Sequence, residues 1–537
     1  MQLEQIRVPL NNKILEHYYE ENEHMTPFFP YALNDDAFAA RHRYLQAQPR
    51  TAGLAEAIAA YMAPFGMTEA VQRNIDALAN GAVAVVGGQQ AGVFTGPLYS
   101  VYKAITVLTV AQQQSDKLGA DVVPVFWIAG EDHDIDEINH TFTNVNNVVK
   151  KRGYSERSRR KKMASQTKLS NEAIQQLIDT VFFDYGETMY TKQLLAQVKE
   201  AANKSDTFTQ FFTYVMHDLF KQYGLLMIDA ASEEMRALQG EYFVRFIDRA
   251  ANVASVVTKT EQAFSEAGYG TPIYATETNA NLFYVQDGER FLLTLTDGVF
   301  TNAQANVRFT ADELKAIARQ TPQQLSNNVV TRPMMQEMVF PVLAFVGGPG
   351  ELAYWATLGK GFEEMGLQMP IFVPRFMFTI VDAHLEKCAA DVDMTIAQVI
   401  GENVTAVREA FTSSLQTEAA LAPVVDMAQQ LRAQYVQLQS TLKQQHIDVS
   451  NVIKKNMAND ASQFDYLMTK IEEQVLQQHH VTLSRYDELA SRIRPNGSYQ
   501  ERVYAPHYLM NLYGKDFVDR LLTLSYDVDD THKVVKL

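Results

Sequence analysis

The sequence of 537 residues has one cysteine, Cys388, and only two tryptophans. One thiol cannot close an intramolecular disulfide or build a cysteine-rich zinc site, so both architectures are excluded. Positive charge is also scarce: 47 Lys and Arg stand against 63 Asp and Glu, a formal net charge of −16. That balance repels a phosphate backbone at long range and argues against nucleic acid as a partner. No apolar run approaches the roughly 18 residues needed to span a bilayer, and Met1-Gln2-Leu3-Glu4-Gln5 offers no basic start of a signal peptide. The expectation is a cytoplasmic protein without a membrane partner. What remains is an ordinary folded composition, 47% hydrophobic and 20% charged. At roughly 100–200 residues per domain the length allows two to four domains.

Strand and helix signals alternate around glycine. Ala82-Val83-Ala84-Val85-Val86 is an apolar, β-branched run that meets Gly87-Gly88-Gln89-Gln90-Ala91-Gly92. A helical pattern over 97–114 follows, then the apolar run Val122-Val123-Pro124-Val125-Phe126-Trp127-Ile128. Strand, glycine turn, helix and strand make a βαβ unit, and continuous apolar strands are buried on both faces. The pattern recurs as a strand over 340–346, the turn Gly347-Gly348-Pro349-Gly350, a helix over 351–365 and a strand over 369–373. A helix over 207–223 running into a strand over 224–228 adds a fifth strand. The fold class predicted is α/β, a doubly wound parallel sheet.

Other segments read differently. Asn281-Leu282-Phe283-Tyr284-Val285 and Arg290-Phe291-Leu292-Leu293 flank an Asp287-Gly288 turn, a β-hairpin signature inside an insertion. Over 383–493 glycine nearly vanishes, and Leu421, Val424, Ala428, Leu431, Tyr435, Leu438 and Leu442 alternate spacings of three and four. Phe464, Met468, Ile471 and Val475 repeat that seam after a polar break at 456–460, which predicts two long helices in an antiparallel coiled-coil hairpin. The predicted division is a core of 1–382 and 494–537, with insertions at about 141–205 and 265–335, and a helical domain of 383–493. The hairpin also offers a dimer surface. The basic run from Lys150 to Lys162 reads as a solvated insertion loop.

Candidate chemistry gathers at strand ends. The turn 87–96 lies between a buried strand and a helix start, where free N–H groups favour an anion. Thr95, Tyr99 and Lys103 flank it, and Gly347, Gly348, Gly350 and Glu351 form a second such turn. The second strand delivers Glu131-Asp132-His133-Asp134, a set able to hold a cation or an ammonium group or to move a proton. An acidic, solvated helix start is the plain alternative. Arg332 and Arg375 bracket the second unit and suit a carboxylate or phosphate; a structural ion pair is equally open for each. Cys388, within a helical stretch, reads as a packed side chain.

Together these motifs resemble the BshC family, cysteine ligases of bacillithiol biosynthesis. The resemblance rests on Gly88-Gln89-Gln90-Ala91-Gly92, Thr95-Gly96-Pro97-Leu98-Tyr99 with Lys103, and Phe126-Trp127-Ile128-Ala129-Gly130-Glu131-Asp132-His133-Asp134. It continues in Asn328, Arg332-Pro333 and Gln336, in Gly347-Gly348-Pro349-Gly350-Glu351, in Pro374-Arg375, and in Arg494-Pro495-Asn496-Gly497 with Gln500-Glu501-Arg502. It implies a Rossmann-like core with connecting insertions, an α-helical coiled coil and a homodimer. The implied reaction joins cysteine to glucosaminyl-malate through an amide bond, with ATP as the possible activator and ADP or AMP as its product. The core is similar to class I aminoacyl-tRNA synthetases, but Thr95-Gly96-Pro97-Leu98-Tyr99 lacks their paired histidines.

On this reading Lys103 or Arg332 balances anions at the Gly88–Gly96 turn, and Asp132 and Asp134 hold an ammonium group or a metal. His133 is the base, and Arg375, Arg494 or Arg502 receives malate. Gln89, Gln90, Gln336, Asn496 and Gln500 complete the binding set. The alternatives are a nucleotide- or metabolite-binding scaffold and a metal-dependent hydrolase centred on residues 131–134.

Overall fold

A computed structural model describes every residue except 10, 11, 157–160 and 416. The chain divides into two compact units. One comprises Met1–Ile380 with Tyr499–Leu537, the other Val381–Ser498.

The first unit is organised by a parallel sheet. Its strands are β1 (Val83–Gln89), β2 (Val122–Ile128), β3 (Leu226–Asp229), β4 (Val342–Gly347) and β5 (Ile371–Pro374). Their spatial order is β5-β4-β1-β2-β3, every neighbouring pair parallel. These are the five strands expected from the apolar runs, and they are buried along almost their whole length. Order reverses between β1 and β4: the chain moves outward to β2 and β3 on one side and to β4 and β5 on the other. Ligands of such sheets bind in the crevice at that switch point, beyond the strands' carboxyl ends.

Helix α1 (Tyr99–Leu118) follows β1 and stops at Gly119, whose φ of 60° and N–H bond back to Ser115 O form a left-handed cap. The expected helix over 351–365 is two helices, α2 (Pro349–Trp355) and Gly359–Glu364, separated by a turn at 356–358. The Asp287-Gly288 hairpin joins Asn279–Gln286 to Glu289–Thr296 within a five-stranded antiparallel sheet. A further three-stranded sheet joins Gln2–Ile6, His532–Lys536 and Phe378–Val381. The basic run is not simply a loop. Lys150, Lys151 and Arg152 lie in the strand Val148–Gly153, and Arg152 binds Asp184 at 2.5 Å; Arg157, Arg159 and Arg160 lie outside the described residues.

The second unit holds α3 (Ala383–Ala390), α4 (Thr417–Gln444), α5 (Ser450–Gln478) and α6 (His480–Arg492). The turn of the long pair falls between α4 and α5, not at 456–460 as expected. Residues 456–460 continue α5, and Asp460 there accepts a 2.7 Å bond from the seam residue Tyr435. Most seam residues are only half-buried and Leu438 is exposed, because two helices cover a single stripe between them.

Candidate active site

The glycines of β1 are there for packing. A Cβ on Gly87 would lie 2.6 Å from Val107 Cγ2, and one on Gly88 would lie 2.3 Å from the Trp127 carbonyl oxygen. Beyond them the chain takes three successive left-handed conformations: Phe94, Thr95 and Gly96 have φ of 55°, 74° and 70°. For a β-branched threonine that is costly, about 1–3 kcal/mol, and such strain concentrates where backbone is held for a ligand. The Thr95 hydroxyl is buried and finds no hydrogen-bond partner among the described residues. Thr95 and Gly96 thus supply a pre-shaped, polar turn just before α1, with Tyr99 on that helix's first turn.

Lys103 joins the two glycine turns. Its buried Nζ contacts Glu351 Oε2 at 2.5 Å, Gly88 O at 2.6 Å and Gln89 Oε1 at 3.1 Å. Burial lowers the lysine's pKa, the Glu351 charge counters that, and Arg375 and Arg332 lower it further. Glu351 also accepts the Gly348 N–H at 2.9 Å. This carboxylate therefore already sits where an anion bound to the second glycine turn would sit. Lys103, expected as a counter-charge for phosphate, is paired with Glu351 within the protein. Gly347 and Gly350 have separate reasons: a Gly347 Cβ would lie 2.5 Å from the Phe372 ring, whereas one on exposed Gly350 would meet nothing.

Arg332 is different. Its guanidinium donates to Gln336 Oε1 at 3.2 Å and to the Tyr354 hydroxyl, and lies over the Phe345 ring at 5.6 Å. Among the described residues no carboxylate pairs with it. Gln336 Nε2 is buried without a partner among the described residues. The Tyr354 hydroxyl is pushed up to about 12 by desolvation, so it remains a neutral partner. Tyr354 was not expected; its place one helical turn after Glu351 was the available signal.

Two residues expected to bind substrate are committed elsewhere. Arg375 is buried and donates to Glu501 Oε1 at 2.6 Å and to Phe376 O at 3.1 Å, while lying over Tyr99 at 5.5 Å. It takes the structural-ion-pair reading, not the malate clamp. Gln500 is also buried; its amide accepts from Ile380 N–H at 2.9 Å and donates to Ile380 O at 3.1 Å, completing a strand edge. Arg502 is exposed. Arg494 and Asn496 belong to the other unit, where Pro495–Gly497 forms a tight turn with Asn496 at φ 53°.

The acidic stretch after β2 separates by direction. Glu131 turns inward: Arg236 Nη2 lies 2.6 Å and Ser326 Oγ 2.8 Å from its Oε2. It is therefore a buried anchor, not a ligand contact. Gly130 explains the close fit, since a Cβ there would lie 2.2 Å from both Asp229 Oδ1 and Ser165 Oγ. Asp132 and His133 are half-buried and Asp134 is exposed. Gln90 Nε2 donates to Asp132 Oδ2 at 2.8 Å and to Glu137 Oε2 at 2.7 Å, joining the ends of β1 and β2. Among the described residues His133 Nδ1 is buried without a partner. Burial, then Arg290, holds this imidazole below its usual value, so it is neutral near pH 7. A neutral imidazole with an uncommitted nitrogen can take a proton. With Glu131 facing Arg236, residues 131–134 do not converge as metal ligands; the grouping of metal-type donors found among the described residues lies elsewhere.

The crevice thus has strained polar backbone at β1, an uncompensated cation near β4 and a free base at β2. Residues 1–376 match the family profile described as the bacillithiol biosynthesis BshC N-terminal Rossmann-like domain, and residues 378–537 match its C-terminal coiled-coil domain. The chain belongs to the BshC family. A Lysinibacillus sphaericus (strain C3-41) relative is 45% identical over 538 residues, covering 100% of both chains. One from Geobacillus thermodenitrificans (strain NG80-2) is 36% identical over 545 residues with the same coverage. Both carry the name "Putative cysteine ligase BshC". A solved Campylobacter jejuni structure, described as an arginyl tRNA synthetase of unproven assignment, aligns at 12% identity with a TM-score of 0.21 over 82% of this chain and 99% of its own; that likeness carries no conclusion. The BshC Rossmann-like and coiled-coil divisions agree with the parallel sheet and the long helical pair described above. No described helix is long and apolar enough to cross a membrane.

Proposed function

We propose that this chain is a ligase of bacillithiol biosynthesis that forms the amide bond between L-cysteine and the amine of glucosaminyl-malate. The observation that carries this reading is full-length relatedness, 45% identity over the whole chain to a protein named "Putative cysteine ligase BshC". The strand-end chemistry supports it. A free carboxylate does not acylate an amine in water until one oxygen becomes a better leaving group than hydroxide. ATP is the proposed activator: the cysteine carboxylate attacks phosphorus, giving either an acyl phosphate with ADP released or an acyl adenylate with pyrophosphate released. The sugar amine then attacks the acyl carbon, expels phosphate or AMP, and gives up a proton.

In this reading Arg332 receives the anionic group, because its charge has no carboxylate partner among the described residues. The strained turn at Thr95 and Gly96 offers the Thr95 hydroxyl, which has no partner among the described residues. His133 takes the amine proton, and Asp132, positioned by Gln90, holds the cysteine ammonium. Arg502, exposed at its turn, faces malate's carboxylates. Lys103 and Glu351 act as the brace between the two glycine turns. The active species is proposed to be a cytoplasmic homodimer, checked by light scattering at twice the chain mass.

The test incubates purified protein with L-cysteine, glucosaminyl-malate and ATP and follows product, AMP and ADP by mass spectrometry. Amide product with equimolar AMP or ADP supports the reading and identifies the activated intermediate. Substrate breakdown without joining, or tight binding without product, would overturn it.

A further inference from the structure

The second unit contains a donor cluster that the ligation chemistry does not use. His384 and Cys388 lie one helical turn apart on α3, and Glu488 faces them from α6. His384 Nε2 is 2.9 Å from Glu488 Oε2, Cys388 Sγ is 3.5 Å from His384 Nε2, and Cys388 Sγ is 3.8 Å from Glu488 Oε2. All three donor atoms lie within 4.8 Å of one another. Zinc bonds of about 2.0–2.3 Å to nitrogen, oxygen and sulfur set the edges of a tetrahedron at roughly 3.3–3.7 Å. The three observed separations straddle that range, so an ion fits with sub-ångström adjustments.

The surroundings are arranged for it. Arg492 donates to the other carboxylate oxygen, Glu488 Oε1, at 3.2 Å and to Asp382 Oδ2 at 2.7 Å. That leaves Oε2 as the oxygen presented to His384 and Cys388, the outer-shell orientation that metal-binding carboxylates need. Cys388 is buried whereas the His384 side chain is 58% exposed, so an ion has a path in from solvent.

We propose that His384, Cys388 and Glu488 form a binding site for a divalent metal of zinc type, with water as the fourth ligand. One sulfur, one imidazole nitrogen and one carboxylate oxygen suit zinc better than magnesium or calcium, which take oxygen ligands. Binding exchanges the Cys388 thiol proton for the metal–sulfur bond and releases that proton to solvent. The ion ties α3 to α6, so it stabilises the helical unit independently of the strand-end reaction.

The lone cysteine makes the test specific. Full-length protein, stripped with chelator and titrated with cobalt(II), should develop a thiolate-to-cobalt charge-transfer band that saturates at one equivalent. Only Cys388 can give that band. Zinc should bleach it by displacement and should raise the thermal midpoint of the wild type. Cys388→Ser should abolish the band, and His384→Gln and Glu488→Gln should weaken cobalt binding by about tenfold or more while circular dichroism stays native. A wild-type protein that folds yet shows no band, or a band unaffected by His384→Gln and Glu488→Gln, would overturn the site.

Discussion

The two sides of the strand-end crevice carry the same kinds of residue in opposite situations. Toward β4 and β5, charge is mostly consumed inside the protein: Lys103 by Glu351, and Arg375 by Glu501. Toward β2, Asp132 accepts only from the Gln90 amide and the Asp134 N–H among the described residues, and His133 keeps a nitrogen without a partner among them. Buried pairs fix geometry, whereas groups left unsatisfied are available to substrate. The contrast falls even between neighbours. Glu131 is locked onto Arg236, and Asp132, the next residue, is half-buried with no cation paired to it among the described residues. Arg332 breaks the pattern on its own side, a cation whose hydrogen-bond partners among the described residues are the neutral Gln336 and Tyr354.

Each half of the comparison can be attacked by substitution. The largest effect belongs to Glu131→Ala, which strands Arg236 in the core; urea unfolding should show a loss of about 3–5 kcal/mol, and a loss below about 1 kcal/mol would show that the pair is not an anchor. Asp132→Ala should do the reverse, lowering amide formation by about 100-fold with an unfolding midpoint close to wild type. His133→Asn should cost about 100-fold and also remove a pH dependence. Because the imidazole is held below its ordinary 6.5, protonation removes the base only in acid. Wild-type kcat/KM should therefore be full at neutral pH and fall as pH drops through a midpoint below 6.5; a midpoint above 6.5, or the same limb in His133→Asn, would assign the proton elsewhere. The smallest effect is Gly350→Ala. Nothing crowds its Cβ, and Glu351 already fills the anion position at that turn. The variant should gain about 0.5–1 kcal/mol and keep turnover within about twofold; a large loss of turnover would mean that substrate does reach that backbone.

The parallel sheet was legible because buried parallel strands are continuous apolar runs, and 122–128 and 340–346 contain nothing else. The crevice was legible for a related reason: glycine turns and the Glu131–Asp134 stretch end those runs. Partnerships across long sequence distances were not. Glu131 and Arg236 are 105 residues apart, and Arg375 and Glu501 are 126 apart. Spacing along the chain says nothing about such pairs, so buried anchors and available ligands looked alike. The hairpin turn was misplaced because residues 456–460 are polar but helix-compatible, while the actual break before α5 has neither glycine nor proline: His446 takes the positive φ of 58°, and Asp448 accepts the Ser450 N–H at 3.1 Å. Short edge strands such as Gln2–Ile6 were missed because their side chains are largely exposed and their partner, His532–Lys536, lies at the far end of the chain.

The decisive measurement is the rate of amide product formation from L-cysteine, glucosaminyl-malate and ATP by wild-type protein and Arg332→Ala, side by side at equal folded concentration. Wild-type turnover with a loss of about 100-fold or more in the variant is the result expected if Arg332, which has no carboxylate partner among the described residues, receives the substrate's negative charge. Equal turnover in the two proteins would contradict that placement, and no product from the wild type would contradict the ligase itself.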